Sequence, residues 1–119
     1  MLYGKTIVIT GASSGIGART AALASQLGAD VVGVDIRAPM GSLASFIAGD
    51  LSTRAGVDGI VALLPPRFDA LCNVAGVSGT LGAARTLAIN FYGLRALSEA
   101  AAPRMREGGA VVNVASIAG

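Results

Sequence analysis

The 119-residue sequence predicts an α/β fold, a doubly wound parallel sheet with helices on both faces. Three observations predict it. Short runs rich in Val and Ile alternate with segments of helical period along the whole chain. The strand-like runs lack a clean polar alternation, as strands covered on both faces do. Ala and Gly, with 23 and 17 residues, make up about a third of the chain, and such small side chains let helices sit close to a sheet.

The elements follow in order. A first strand is read at Lys5–Thr10, then a helix at Gly15–Leu27 with Ile16, Thr20, Leu23 and Leu27 on one face and Gly28 as its stop. A second strand spans Asp30–Asp35 and a third Ser45–Gly49. The second helix, Ser52–Leu64, carries a stripe of Val57, Ile60, Val61 and Leu64; Ser52 or Thr53 can cap it, and Pro65–Pro66 ends it. A fourth strand spans Asp69–Val74. A long helix is expected from about Ala83 to Met105, with Leu87, Phe91, Leu94, Ser98, Ala101 and Met105 at helical spacing and Pro103 fraying its last turn. A fifth strand, Ala110–Ala115, is apolar enough to read as interior, yet nothing follows to pair beside it. Residues 1–119 are therefore expected to be the N-terminal part of a longer, single-domain protein. Right-handed crossovers should join the strands.

Composition excludes several chemistries. With no His there is no Ser-His-Asp triad and no His-ligated zinc within this sequence. Cys72 is the only cysteine, so no internal disulfide or Cys-x-x-Cys pair exists, and a cytoplasmic, reducing location is expected. Charged residues are 13% of the chain, about half the usual share. The longest charge-free run, Ala70–Ala84, is too short and too rich in Gly to span a bilayer, so no membrane association is expected. The net charge is +2, and the eight Arg are scattered, so no nucleic-acid footprint is read.

The chemistry begins after the first strand. Thr10-Gly11-Ala12-Ser13-Ser14-Gly15-Ile16-Gly17 leads straight into a helix. Gly11 permits a tight turn, Gly15 lets backbone approach a pyrophosphate, and Gly17 lets helix and sheet pack closely. The helix start then offers unpaired N–H groups and about half a positive charge to phosphate. The Ser13 and Ser14 hydroxyls can add donors. An acidic residue, Asp35, lies 18 residues beyond Gly17, the context that turns a weak glycine pattern into a dinucleotide site. Gly4-Lys5-Thr6 spells the end of a P-loop, but it enters a strand and lacks the glycine loop, so a nucleoside-triphosphate site is rejected.

The motif TGASSGIG resembles the cofactor loop of the short-chain dehydrogenase/reductase family in its short, single-domain form. The resemblance continues down the chain: Asp35 after the second strand, Asp50-Leu51 after the third, Asn73-Val74-Ala75-Gly76 after the fourth, Asn90 in the long helix and Ser116 after the fifth. It implies a Rossmann-like sheet in the order 3-2-1-4-5, with the remaining strands missing. The implied function is interconversion of an alcohol and a carbonyl by hydride transfer, with a nicotinamide dinucleotide as cofactor. The stretches around Gly33–Arg37 and Asp50–Thr53 resemble a subgroup of hydroxysteroid and aryl-alcohol dehydrogenases. A homodimer or homotetramer is implied for the complete protein.

Asp35 ends its strand where a carboxylate can accept hydrogen bonds from both adenosine ribose hydroxyls. A 2′-phosphate there would meet a like charge, on the order of 4 kcal/mol per unit pair at about 4 Å before screening. NAD is expected and NADP disfavoured, although Arg37, beside Ile36, could soften the preference. A solvated strand-end acid is the plainer alternative for Asp35. By the resemblance, Asp50 and Leu51 flank adenine, although Asp-Leu-Ser-Thr also reads as an ordinary helix start. Asn73, Val74, Ala75 and Gly76 are similar to the family's Asn-Asn-Ala-Gly, with Val74 in place of the second Asn.

The resemblance assigns Ser116 to orienting the substrate oxygen and Asn90 to supporting a catalytic Lys. Local backbone bonding is the alternative for each. The family's Tyr-x-x-x-Lys pair is absent from these 119 residues: Tyr3 and Tyr92 are followed four places on by Ile7 and Ala96. A phenol at its ordinary pKa of about 10 needs such a cation to act as a base. The expectation is the cofactor half of a dehydrogenase; the alternative is a dinucleotide-binding module without turnover.

Overall fold

A computed structural model describes residues 1–41 and 43–115. Its elements are β1 (Thr6–Thr10), α1 (Gly15–Gln26), β2 (Asp30–Asp35), β3 (Ser45–Ala48), α2 (Arg54–Leu63), β4 (Phe68–Asn73), α3 (Ala83–Leu87), a π-helical turn (Ala88–Gly93), α4 (Leu94–Ala101) and β5 (Met105–Asn113). The five strands form one parallel sheet in the order β3-β2-β1-β4-β5, as expected. The order reverses between β2 and β4 on either side of β1, and in such sheets the crevice beyond the strand ends at that reversal is where ligands bind.

Alternation along the strands divides the core between the two faces. Val8, Val34 and Leu71 pack with Val57 and Ile60 of α2 and Leu97 and Ala101 of α4. Ile9 and Val31 pack on the other face with Ala21 and Ala24 of α1. Phe68, Ile60, Leu71 and Leu97 are fully buried and anchor the first of these layers.

The helix α1 corrects the sequence reading. Its core face is Gly17, Ala21 and Ala24, whereas Ile16 and Leu23 of the apolar stripe are 63% and 57% exposed. Close approach is the reason. A Cβ on Gly17 would lie 1.9 Å from the Gly11 carbonyl oxygen, so only the small-residue stripe can face the sheet. In α2 the choice between caps falls to Thr53, whose hydroxyl accepts from the Gly56 N–H at 3.0 Å.

The long helix is also corrected. It is not continuous to Met105: α3 widens into the π turn, narrows to α4 and ends at Ala101, before a 3₁₀ turn over Ala102–Arg104 that contains Pro103. The buried stripe is Ile89, Gly93, Leu97 and Ala101, not Leu87 and Phe91, which are about half exposed. Met105 belongs to β5 and pairs with Phe68; the next partners are Ala70 and Ala110. Five residues on β5 thus match two on β4, an irregularity accommodated by Gly108 at φ 80°. Regular pairing starts at Ala110, where the sequence placed the strand. Among the described residues no strand pairs with the far side of β5, and Val111 and Val112 are half exposed.

Candidate functional site

The strand ends at the reversal point open into a groove of about 330 Å³. That lies at the lower end of the range of small-molecule sites, roughly 300–1,000 Å³. Its lining comes from four connections: Gly11, Ser14, Gly15 and Ile16 after β1; Asp35 and Ile36 after β2; Asp50 and Leu51 after β3; and Val74, Ala75 and Gly76 after β4. The sequence singled out each of these residues. Val34, Gly49, Val77 and Ile89 complete the wall and were missed, because nothing local marks them.

The glycine loop has two halves with different hydrogen-bonding fates. Gly11, at φ 69°, turns the chain so that its N–H donates to the Val34 carbonyl at 2.8 Å, and the Ala12 N–H reaches the same oxygen at 3.4 Å. The Ser13 N–H donates to Asp35 Oδ2 at 3.1 Å, and the Ser13 hydroxyl donates to the Arg37 carbonyl at 2.5 Å. This half is fastened to the end of β2. The Ser13 hydroxyl is therefore not aimed at the groove, contrary to the expectation that it adds a donor there. The second half stays open. Ser14 makes no side-chain cap on α1, and Gly15, at φ 53°, has open space where a Cβ would stand. The first amides of α1 thus face the groove with the positive end of the helix dipole behind them.

Asp35 accepts from the Ile36 N–H at 2.7 Å as well as from Ser13. A carboxylate offers about four lone-pair positions, so capacity remains on the groove side. Asp50 accepts from the Ser52 N–H at 2.8 Å. Hydrogen bonding from Ser52, side chain first and then backbone, with a smaller contribution from Arg85, holds its carboxyl below the ordinary value despite some desolvation. Leu51 is 8% exposed and forms the floor beside it, and the turn carrying it is so close to the π turn that a Cβ on Gly93 would lie 2.2 Å from the Leu51 carbonyl oxygen.

At the other end, Thr10 Oγ1 accepts from the N–H groups of Val74 and Ala75 at 3.1 and 3.0 Å, joining the ends of β1 and β4. Asn73, 2% exposed, donates through Nδ2 to Ser98 Oγ at 3.1 Å and Asn113 Oδ1 at 2.9 Å, and so ties β4 to α4 and β5. Asn90, in the π turn, accepts from the Val77 N–H and donates to the Val77 carbonyl, each at 2.8 Å. Burial pushes the Cys72 thiol up, as suits a small apolar core residue. Ser116 lies outside the described residues. Among the described residues no cluster of His, Cys, Asp and Glu could hold a metal, and no helix is long and apolar enough to cross a membrane.

The chain is similar to known proteins over nearly its whole length. The family model for short chain dehydrogenases matches residues 5–119. A coniferyl-alcohol dehydrogenase of Pseudomonas sp. (strain HR199 / DSM 7063) is 45% identical over 99% of this chain and 46% of its own length. The crystal structure of a 3-alpha-hydroxysteroid dehydrogenase from Pseudomonas sp. B-0831, complexed with NADH, superposes with a TM-score of 0.77 at 33% identity, over 95% of this chain and 48% of that one. A Pseudomonas aeruginosa RhlG/NADP complex gives a TM-score of 0.82 at 25% identity, over 97% and 54%. The chain spans about half the length of the relatives it matches. A glycine loop fastened to β2, an open helix start and a sheet that reverses its order there thus coincide with a family match over almost the whole sequence, and the chain belongs to the short-chain dehydrogenases.

Proposed function

We propose that these residues form the cofactor-binding part of an NAD-dependent oxidoreductase that interconverts an alcohol and a carbonyl. The observation that carries the reading is Asp35: it ends β2 on the groove wall, beside the amides that open α1. The dinucleotide family fits this groove, because the Gly15 position is open and the glycine loop turns its free amides toward it. Among the described residues the groove is lined by Asp35 at the ribose end and by no basic side chain, which supports NAD over NADP.

In this reading the amides at the start of α1 hold the diphosphate, Asp35 takes the adenosine ribose hydroxyls, and Asp50 with Leu51 brackets adenine. Val74, Ala75 and Gly76 run beneath the second ribose. When bound, the nicotinamide ring supplies or accepts the hydride. Ser116 orients the substrate oxygen, and Asn90 is a positioning residue that fixes the wall at Val77. The substrate is a small alcohol or ketone. An aryl alcohol is favoured by the coniferyl-alcohol dehydrogenase relative, with hydroxysteroids second. We take residues 1–119 as the N-terminal part of a single catalytic domain, cytoplasmic and homo-oligomeric when complete. The outward side chains of Leu87, Phe91 and Tyr92 support the oligomer.

Isothermal titration of the chain with NAD and NADP tests the cofactor assignment. Tighter binding of NAD supports it, and equal or tighter binding of NADP refutes it.

A further inference from the structure

Between the Phe68–Met105 and Ala70–Ala110 pairs, β4 advances two residues and β5 advances five, which leaves three extra residues on β5 opposite Asp69. The parity of that number decides which face every later side chain takes, because successive residues of a strand alternate and an odd offset inverts the alternation. Pairing continued without the offset from Phe68–Met105 would set Asn73 opposite Ala110. With the offset, Asn73 stands opposite Asn113 and donates to Asn113 Oδ1 at 2.9 Å. The extra residues therefore have to be held at the start of β5.

That stretch is tightly folded. Gly108 has φ 80°, and a Cβ on Gly109 would lie 2.8 Å from the Asp69 carbonyl oxygen and 2.9 Å from that of Arg106. Among the described residues, the side-chain hydrogen bond made by residues 106–109 runs from Arg106 Nη1 to Asp69 Oδ2, at 2.9 Å. The same oxygen accepts from the Thr6 N–H of β1 at 2.8 Å. One carboxylate thus joins β1, β4 and β5 at the end of the sheet opposite the groove. The Asp69 side chain is 15% exposed, against 62% and 66% for Asp58 and Glu99 in their pairs with Arg54 and Arg95. Solvent weakens those two pairs, whereas the sheltered one is screened less. The Thr6 N–H above all, and then Arg106 and Lys5, hold the Asp69 carboxyl below its ordinary range despite some desolvation.

We propose that Arg106 is the register pin of β5. By anchoring the first of the extra residues to Asp69, its guanidinium fixes the offset that brings Asn113 to Asn73. Without it, the extra residues feed into the strand and β5 slides along β4 by about 3.3 Å per residue. Asn73 then loses one of the two acceptors of its Nδ2 group, at a buried position where an unmet amide is costly. Arg106 is thus a positioning residue at one end of the sheet for a contact made at the other. Ser116 stands three residues after Asn113 in the sequence, so in the dinucleotide reading of the groove the same register delivers it to the substrate. Only this last step rests on that reading.

NMR of the unliganded chain reads the register directly. In Arg106→Ala, amide exchange at Ala110–Asn113 should accelerate about tenfold, as for the loss of one charged hydrogen bond, while Val8 and Val32 keep their protection. The nuclear Overhauser contact between the Asn73 and Asn113 side chains should weaken in step. Arg106→Lys, which keeps the cation, should restore both. Asp69→Asn, which leaves the Thr6 N–H an acceptor but removes the charge, should repeat the Arg106→Ala result and add nothing when the two are combined. Acceleration spread evenly over all strands, unchanged exchange at Ala110–Asn113, or failure of Arg106→Lys to restore it would each overturn the pin. Because the register is read without ligand, a chain that failed to bind NAD would refute the cofactor reading and leave the pin standing.

Discussion

Asn90 holds Val77 at both of its backbone polar groups: the Val77 N–H donates to Asn90 Oδ1 and Asn90 Nδ2 donates to the Val77 carbonyl, each at 2.8 Å. Asn90 lies within the π turn, a kind of helical irregularity often found at functional sites. Asn90→Ala should cost about 1–3 kcal/mol in a denaturant titration, since two half-buried backbone groups lose their partners. Amide exchange gives the sharper reading. Protection at Val77 should be lost in Asn90→Ala and kept in Asn90→Asp, which still accepts the N–H; unchanged protection in Asn90→Ala would detach Asn90 from this wall.

Asp35 separates the two cofactors by charge. Asp35→Asn keeps an acceptor for the Ile36 N–H but removes the repulsion toward a 2′-phosphate. The ratio of NAD to NADP affinity should fall about tenfold, or about 1.4 kcal/mol. Calorimetry with both dinucleotides checks this, and an unchanged ratio would remove Asp35 from the ribose end.

Two glycines in one loop should behave differently. Gly17→Ala places a methyl against the Gly11 carbonyl, which is backbone and has nowhere to move, so a loss of about 3 kcal/mol is expected. Gly15→Ala meets open space and carries only the strain of φ 53°, about 1–2 kcal/mol. Yet its methyl stands at the mouth of the helix start, so NAD affinity should fall at least tenfold while the fold survives. Thermal melts and NAD titrations on the two variants separate the cases; equal stability losses would contradict the packing described for α1.

Asp50 provides a pH test. Its carboxyl lies below the ordinary value of 3.8, chiefly through Ser52. A depressed carboxylate pKa means that the folded state binds the proton more weakly than the unfolded chain. The stabilisation is complete above the ordinary value and is lost as pH falls through the lowered one. Carbon-detected titration should place the Asp50 midpoint below 3.8, and Ser52→Ala should move it upward. A midpoint that ignores Ser52 would assign the shift to another group.

Legibility in the sequence followed how local each constraint is. Gly11, Gly15 and Gly17 were readable because a turn, an open approach and a close contact each leave one residue type possible. Asp35 was readable from its place at a strand end. The face of α1 was not: hydrophobicity favoured Ile16 and Leu23, but distance to the sheet selected Gly17, Ala21 and Ala24. The break in the long helix was hidden because Ala, Leu and Arg continue with good helical propensity to Ala102, and only the irregular pairing around Gly108 shows where β5 begins. Val77, Ser98 and Asn113 acquire their roles across more than ten residues of chain, and although their partners Asn73 and Asn90 stand in the motifs, nothing local marks these three.

The most direct test of the central claim is a crystal structure of the chain with NAD diffused in. The diphosphate should lie on the amides at the start of α1, with the adenosine ribose hydroxyls against Asp35 and adenine between Asp50 and Leu51. Density for the dinucleotide at any other surface, with this groove left to solvent, would contradict the account.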